Sequence, residues 1–154
     1  MDAGTTSAGP ATNRMAIALL AMAGLSVALY LWAHNSGLTG PIVCGVGDCG
    51  TVQASEYAKV GPIPVSAIGV FGYLALIVLS MVGLQPAHRG SKLIGGLMLA
   101  GSGVGVGFSA WLTYLEAAVI NAWCQYCVIS AILITLIFLA CLPEVVHLKA
   151  KTRE

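Results

Sequence analysis

Charged residues are scarce in this chain of 154 residues. Asp, Glu, Lys and Arg together make up 8% of the sequence, whereas hydrophobic residues make up 58% and the mean hydropathy is +0.89. So few charges do not cover the surface of a soluble domain, and the composition predicts a membrane protein. The formal net charge of +1 and the lack of a basic patch interleaved with aromatic residues argue against a nucleic-acid-binding function.

Long apolar runs fill most of the sequence. A helix needs about 20 predominantly apolar residues to cross a membrane. Four stretches satisfy this requirement: residues 15–33, 64–84, 93–120 and 123–142. We therefore expect an all-α membrane protein, a bundle of four transmembrane helices over residues 15–142, with a disordered cytoplasmic tail at 1–14 and a basic cytoplasmic tail at 143–154. A cleavable signal peptide is the alternative for the first run, but its apolar core is long for one.

Basic residues lie almost entirely on one side of the predicted bundle. Of the seven Lys and Arg residues, only Lys59 falls between the first two spans; the others precede span one, lie between spans two and three, or follow span four. Cytoplasmic loops of membrane proteins carry an excess of Lys and Arg. Both termini are therefore expected in the cytoplasm, and residues 34–61 and the turn before Cys124 are expected on the extracytoplasmic side.

The first extracytoplasmic segment is expected to carry a short surface helix. Apolar and polar residues are mixed at helical spacing between residues 51 and 60, with Val52 and Tyr57 among the apolar ones. This pattern is typical of an amphipathic helix that lies on a membrane surface. The Gly-Pro-Ile-Pro run at 61–64 is expected to end this helix before the second span starts.

Cysteine is also uncommon, but the positions of the five cysteines are informative. Cys44 and Cys49 lie in the first extracytoplasmic segment, and Cys124 and Cys127 form a C-x-x-C motif at the start of the fourth span. By the expected topology these four share the outer face. Cys141 lies about 25 Å further along the last helix at 1.5 Å per residue, so it is expected to be a packed small hydrophobic residue.

The two cysteine pairs favour redox chemistry. Thiols three residues apart share one helix face, and the positive end of the helix dipole lowers the thiol pKa, which predicts that Cys124 is the more reactive of its pair. Gly45, Gly47 and Gly50 flank the loop pair, and we expect this loop to be mobile and to shuttle electrons. Two alternatives remain: a membrane protein that handles zinc or another soft metal ion through both pairs, and inert disulfides in a structural subunit.

One acidic residue lies close to the C-x-x-C motif. Glu116 stands about two helical turns before Cys124, near the outer end of the third span. We expect its carboxylate to lie at the membrane interface in contact with solvent. A role in relaying protons or in tuning the dithiol is the alternative.

The order of these elements resembles that of the vitamin K epoxide reductase family. The shared pattern is a cysteine pair after the first helix, a serine six residues beyond the second of these cysteines, here Ser55, and a C-x-x-C motif that opens the last helix. The Ser-Glu-Tyr-Ala run from Ser55 and the Gly-Pro-Ile-Pro-Val-Ser run from Gly61 are similar to the prokaryotic branch, here without the fused thioredoxin-like domain that some members carry. The resemblance covers residues 16–142.

This resemblance implies a four-helix bundle that encloses a quinone, either ubiquinone or menaquinone, in the inner membrane of a bacterium. It implies that Cys44 receives electrons from a separate thioredoxin-like extracytoplasmic thiol oxidase. Cys49 then exchanges with Cys124, and Cys127 reduces the quinone. The protein is by this resemblance a membrane thiol:quinone oxidoreductase that keeps its partner oxidised, and we expect it to be a monomer surrounded by membrane lipid.

The resemblance also indicates which residues surround the quinone headgroup. Ser55 is implied to approach it from the surface helix, on the same side as Cys127. In the animal enzymes an Asn of helix two and a Tyr one turn after the C-x-x-C motif contact the headgroup, and the corresponding positions here are Val65 and Ala131. Both are apolar, so the resemblance leaves the polar contacts of the quinone, and the ability to reduce vitamin K epoxide, unassigned.

Overall fold

Four long helices dominate the computed structural model, which describes residues 10–150. The elements in chain order are α1 (Pro10–Asn35), α2 (Cys49–Ala54), a 3-10 turn (Glu56–Ala58), β1 (Lys59–Val60), β2 (Ile63–Pro64), α3 (Val65–Leu84), a second 3-10 turn (Pro86–His88), α4 (Lys92–Leu115), a π turn (Glu116–Ile120) and α5 (Gln125–Ala150). The helices α1, α3 and α5, and α4 together with the π turn, are long and apolar enough to cross a membrane. The expected all-α bundle of four membrane-spanning helices is confirmed.

Two helices extend beyond the predicted spans. α1 begins at Pro10 rather than at residue 15, and α5 continues to Ala150 rather than ending at residue 142. Parts of both predicted tails are therefore helical, and the rest, residues 1–9 and 151–154, lie outside the described residues. The two extensions are bonded to each other, since Asn13 donates to the Ala140 carbonyl and Arg14 donates to Glu144.

Arg14 joins three helices at the end of the bundle opposite the C-x-x-C motif. Its side chain is 1% exposed, and its Nε donates a hydrogen bond to Glu144 Oε1 at 2.8 Å. The guanidinium also forms a salt bridge with Glu144 and donates to the carbonyl of Gly83. Ser80 Oγ in turn donates to the Arg14 carbonyl at 2.8 Å. We call this group the ion-pair end of the bundle, and the end that carries Cys124 the cysteine end.

The core between the long helices is apolar. α1 packs mainly against α3 and α5, and α4 packs mainly against α5. Buried residues of the core come from all four long helices: Ile17, Ala21, Ala28, Val70, Tyr73, Leu76, Ile94, Met98, Ile134, Ile137 and Cys141. Large apolar side chains such as Leu19, Phe71 and Leu139 are exposed on the outer surface, as expected for helices that face lipid tails.

The predicted surface helix is only partly present. α2 ends at Ala54, and the 3-10 turn and a β1–β2 hairpin replace the rest of the helix that was expected over residues 51–60. The break lies at Ser55, whose backbone is extended and whose N–H and hydroxyl both donate to the Val52 carbonyl, at 3.2 and 2.7 Å. Serine commonly competes with a helix in this way. Val52 packs against Cys124, so α2 covers the cysteine end.

Candidate active site

The cysteine loop, residues 42–49, lies directly against the start of α5. Gly47 pairs with Cys124 in an isolated antiparallel bridge, and Asp48 N–H donates to the Trp123 carbonyl at 2.8 Å. Gly47 has a φ of +91°, and a Cβ atom there would lie 2.3 Å from the Trp123 carbonyl oxygen. The glycine predicted to keep the loop mobile therefore has a further role, because it permits the close approach of two backbones.

The two residues inside the C-x-x-C motif hold the cysteine loop. Gln125 Oε1 accepts hydrogen bonds from the backbone N–H groups of Gly45 and Val46, both at 2.9 Å. Tyr126 Oη donates to the Val43 carbonyl at 2.6 Å. The residues on either side of Cys44 are thus bound to the segment that separates the two motif cysteines, which sets the register between the loop pair and the dithiol.

Four cysteines converge at this end of the bundle. Cys44 and Cys49 form a disulfide with a Cα–Cα distance of 5.9 Å, whereas Cys124 and Cys127 are free thiols. Cys49 and Cys124 are both 0% exposed and belong to one buried cluster with Val52. Cys44 is only half-buried. The loop pair therefore has one sulfur accessible from outside and one packed beside the dithiol.

The remaining cysteine is separate from these four. Cys141 is 2% exposed and belongs to the main core of the long helices rather than to the cluster at the cysteine end. Within residues 10–150, no group of three or more His, Cys, Asp or Glu side chains is placed to hold a metal ion. Two of the four sulfurs at the cysteine end are bonded to each other in the disulfide.

The local environment activates Cys124. Its pKa is lowered to about 7, chiefly because the Cys127 thiol donates a hydrogen bond to its sulfur, and the Cys127 backbone N–H and the Gln53 amide act in the same direction. Burial and the negative charge of Glu116 oppose this shift. A thiol attacks most effectively when its pKa is near the ambient pH, so Cys124 suits exchange with a neighbouring disulfide.

A cavity of about 490 Å³ opens beneath the dithiol. Apolar residues of the four long helices and of the α2 region form most of its wall, and Cys127 lies in that wall. The polar residues that line it are Gln53, Ser55, Tyr57, Ser66, Tyr73, Ser109, Thr113, Glu116 and Ser130. Small-molecule sites in proteins typically have this size and this mainly apolar character with few polar groups.

A sequence model of the vitamin K epoxide reductase family matches residues 15–142. The chain belongs to this family. It is thereby a multi-pass membrane protein of a family of thiol–disulfide oxidoreductases. Family members in general use quinones and work with a thioredoxin-like partner.

The residues expected around the family's quinone fall in different places. Ser55, Val65 and Cys127 line the cavity, whereas Ala131 does not. Ser130 lines it instead, and its Oγ lies 2.8 Å from Tyr73 Oη. Successive residues of a helix point about 100° apart, so the placement of α5 turns Ala131 away from the cavity and turns Ser130 towards it.

Gln53 is a polar contact of the dithiol that neither the spacing of the sequence nor the family pattern indicates. Its Nε2 donates towards Cys124 Sγ at 3.9 Å and towards Cys127 Sγ at 3.7 Å. Asn35 Nδ2 donates to Gln53 Oε1 at 3.0 Å and to Ser66 Oγ at 3.1 Å, which orients the amide. The sequence gives one hint of this contact: Gln53 stands one helical turn after Cys49, so the two residues share a face of α2.

The expected solvent-exposed position of Glu116 is wrong. Its side chain is 3% exposed, and Oε2 accepts a hydrogen bond from the Cys124 backbone N–H at 3.0 Å. The cause is the π turn that starts at Glu116 and ends in the left-handed residue Asn121 (φ +55°). Ala122 N–H donates to the Glu116 backbone carbonyl at 3.2 Å, and the following Cys124 N–H reaches the carboxylate. The carboxylate instead contacts the start of the C-x-x-C motif, and the alternative, a role in relaying protons or in tuning the dithiol, stays a prediction.

Proposed function

We propose that the protein is a membrane thiol:quinone oxidoreductase that reoxidises a separate thioredoxin-like, disulfide-forming protein. One observation carries this proposal: the cysteines are arranged in a line from outside to inside. Cys44 is partly accessible, Cys49 and Cys124 are buried in one cluster, and Cys127 lies in the wall of an apolar cavity. A dithiol that meets a disulfide on one side and an apolar cavity on the other suits electron transfer to a lipid-soluble acceptor.

The first half of the reaction is thiol–disulfide exchange. A thiolate of the reduced partner attacks Cys44, the Cys44–Cys49 bond breaks, and Cys49 leaves as a thiolate. The second partner thiol releases the partner as a disulfide. Cys49 then attacks Cys124 in the disulfide that Cys124 forms with Cys127, and closure of Cys44 on Cys49 leaves both motif cysteines reduced. The structure, with a closed loop pair and a free dithiol, corresponds to the state after this transfer.

The second half of the reaction takes place at the cavity, and the residues present fit a quinone. The apolar walls exclude water, and Cys127 meets the cavity directly. The Gln53 amide donates to both motif sulfurs and stabilises a thiolate on either. A bound ubiquinone or menaquinone supplies the acceptor for two electrons and two protons.

We place the protein in the inner membrane of a bacterium, as a monomer with both termini in the cytoplasm. The excess of Lys and Arg outside the cysteine loop supports this orientation. It puts the cysteine end on the extracytoplasmic side, where an oxidising environment maintains disulfides.

A trapping experiment tests the order of the relay. In the C44A/C127A variant, Cys49 and Cys124 each lose their disulfide partner, and we expect them to bond to each other under mild oxidation. Mass spectrometry of the digested, unreduced protein identifies this bond. The C44A/C124A variant is the matched control, in which Cys49 should form little bond with Cys127. A folded C44A/C127A protein without the Cys49–Cys124 bond would contradict the order.

Cofactor analysis tests the acceptor. Protein purified in mild detergent should contain bound quinone and no stoichiometric zinc or copper. Stoichiometric metal without quinone would instead support the metal-handling alternative. If alanine at all four cysteines of this end leaves the protein's function in the cell intact, the chain is a structural subunit.

A further inference from the structure

Glu116 is a buried carboxyl group without a neutralising cation. It is 3% exposed, and no ion pair to it occurs in the part of the chain that the structure describes. Ionisable groups at this depth in membrane proteins are costly, and they usually either pair with an opposite charge or take part in proton and ion transfer. Within the described residues Glu116 has no cationic partner, so its burial points to a role in proton transfer.

The Glu116 carboxylate touches both parts of the site. On one side it accepts the Cys124 backbone N–H at 3.0 Å and interacts with the Cys127 thiol. On the other side it lines the cavity. The π turn produces this position, and π turns inside helices frequently occur at functional sites. A group in this place can exchange a proton with the thiol and with a molecule in the cavity.

Few other groups of the cavity wall are able to carry that proton. The remaining ionisable side chains that line it are Cys127 itself, Tyr57 and Tyr73. Phenol hydroxyls ordinarily retain their proton up to about pH 10, and the Tyr73 hydroxyl is already bound to the carbonyl and hydroxyl of Ser130. A carboxylate that interacts with the thiol is the better acceptor.

We propose that Glu116 is a catalytic residue that carries protons from the dithiol to the quinone, an inference that rests on the proposed function. Cys127 gives its thiol proton to Glu116, and Glu116 gives it to a quinone oxygen. The Cys127 sulfur then takes the proton of the Cys124 thiol, to which it is hydrogen-bonded, and passes it along the same route. As the Cys124–Cys127 bond forms, two electrons leave the sulfurs, so dithiol and quinone become disulfide and quinol with no atom unaccounted for.

The E116Q variant tests this proposal. Glutamine keeps an oxygen that accepts the Cys124 N–H but does not carry a proton, so any role in capping the start of α5 is preserved. Loss of a general acid–base group typically costs about 10²- to 10⁴-fold, and we expect the kcat for quinone reduction by the pre-reduced dithiol to fall by at least about 100-fold. The matched control is E56Q, which removes the charge of an exposed glutamate on the 3-10 turn and should leave kcat unchanged.

A second measurement separates proton transfer from a structural effect and needs no quinone. In quinone-free protein at pH 5, E116Q should react with iodoacetamide at Cys124 faster than the unmodified protein, because the negative charge that opposes the lowering of the Cys124 pKa to about 7 is gone. The increase is expected to reach about tenfold, which corresponds to one unit in thiol acidity. A more reactive thiol together with slower quinone reduction is not expected from a disordered site.

Each outcome decides between the proposals. A normal kcat in E116Q overturns the role of Glu116. The E116D variant keeps a carboxylate, so a kcat of E116D that is no higher than that of E116Q also overturns it. If E116Q does not fold, infrared difference spectra of the unmodified protein replace it: oxidation of the dithiol should change a carboxyl band, and an unchanged spectrum overturns the role. If the unmodified protein fails to reduce quinone although the Cys49–Cys124 bond forms, the proposed function itself is wrong.

Discussion

The two ends of the bundle each bury one glutamate, and the two glutamates differ in their partners. At the ion-pair end, Glu144 is bound to the Arg14 guanidinium, and Arg14 also holds α3 through the Gly83 carbonyl. At the cysteine end, Glu116 meets one backbone N–H and the dithiol, with a cavity beside it. The same side chain thus occurs once in a neutralised contact between helices and once at a reactive centre.

The comparison shows how a small membrane bundle separates stability from chemistry. A buried ion pair that bridges α1 and α5 fixes the helices far from the reactive thiols, and removing one partner of such a pair leaves an uncompensated charge. In the mechanism proposed above, the cysteine end retains buried groups whose charge changes during the reaction.

Replacing Cys127 with serine should abolish quinone reduction without unfolding the protein. The serine hydroxyl fills nearly the same space in the cavity wall but does not form the disulfide with Cys124. Quinone reduction by a reduced thioredoxin-like protein, followed by ultraviolet absorbance, checks the loss, and circular dichroism checks the fold. C141S is the control, because Cys141 lies in the main core apart from the relay, and it should retain turnover.

Replacing Arg14 with alanine should lower the stability of the protein and leave its turnover nearly unchanged. Arg14 is 1% exposed, and its loss leaves Glu144 buried without a cation. We expect the free energy of unfolding in mixed micelles to fall by about 3–5 kcal/mol, while kcat per folded molecule stays near its original value. R89A is the matched control, since Arg89 is exposed and its Nε donates to the nearby Leu84 carbonyl. An R14A protein of normal stability, or a loss of kcat in the folded fraction, would show that the ion-pair end does not serve stability alone.

Features of the two ends that depend on local sequence could be predicted, whereas contacts between residues far apart in the sequence could not. The four spans and the two cysteine pairs were predictable because hydropathy and C-x-x-C spacing are local properties. The Arg14–Glu144 contact joins residues 130 positions apart, so no local pattern indicates it. Glu116 was misplaced because its burial depends on a π turn and a left-handed residue rather than on helical periodicity.

The contacts of the cysteine loop are also long-range. The bonds that Gln125 accepts from Gly45 and Val46 depend on how the loop folds back on α5, and they connect residues 80 and 79 positions apart. The family pattern implied that Ala131 lies beside the quinone, but Ala131 does not line the cavity, because correspondence along a sequence does not specify the rotation of a helix. The contact between Ser130 and Tyr73 could be identified only once the rotation of α5 was known.

Replacing Gln125 with alanine should slow transfer within the cysteine end. The change removes two hydrogen bonds that hold Gly45 and Val46, each worth about 1 kcal/mol. We expect formation of the Cys49–Cys124 bond in the C44A/C127A background to slow by about tenfold or more. Q125E keeps the accepting oxygens and should restore the rate, whereas Q85A, at an exposed position of the ion-pair end, should not alter it. Equal rates in Q125A and the parent would show that the loop register is set elsewhere.

The acidity of Cys124 gives the smallest and most specific test. Its pKa of about 7 is lowered mainly by the hydrogen bond from Cys127 and is opposed by the charge of Glu116. The ultraviolet absorbance of the thiolate should therefore rise through a midpoint near this value as the pH increases, and C124A should lack the step. In C127A the midpoint should move up towards the ordinary cysteine value of about 8.5, because the donor to the thiolate is lost. In E116Q it should move down, because the opposing charge is lost. Shifts in the same direction in both variants would mean that Glu116 and Cys127 do not act on Cys124 as separate groups, and the contrast with the neutralised Glu144 would lose its electrostatic basis.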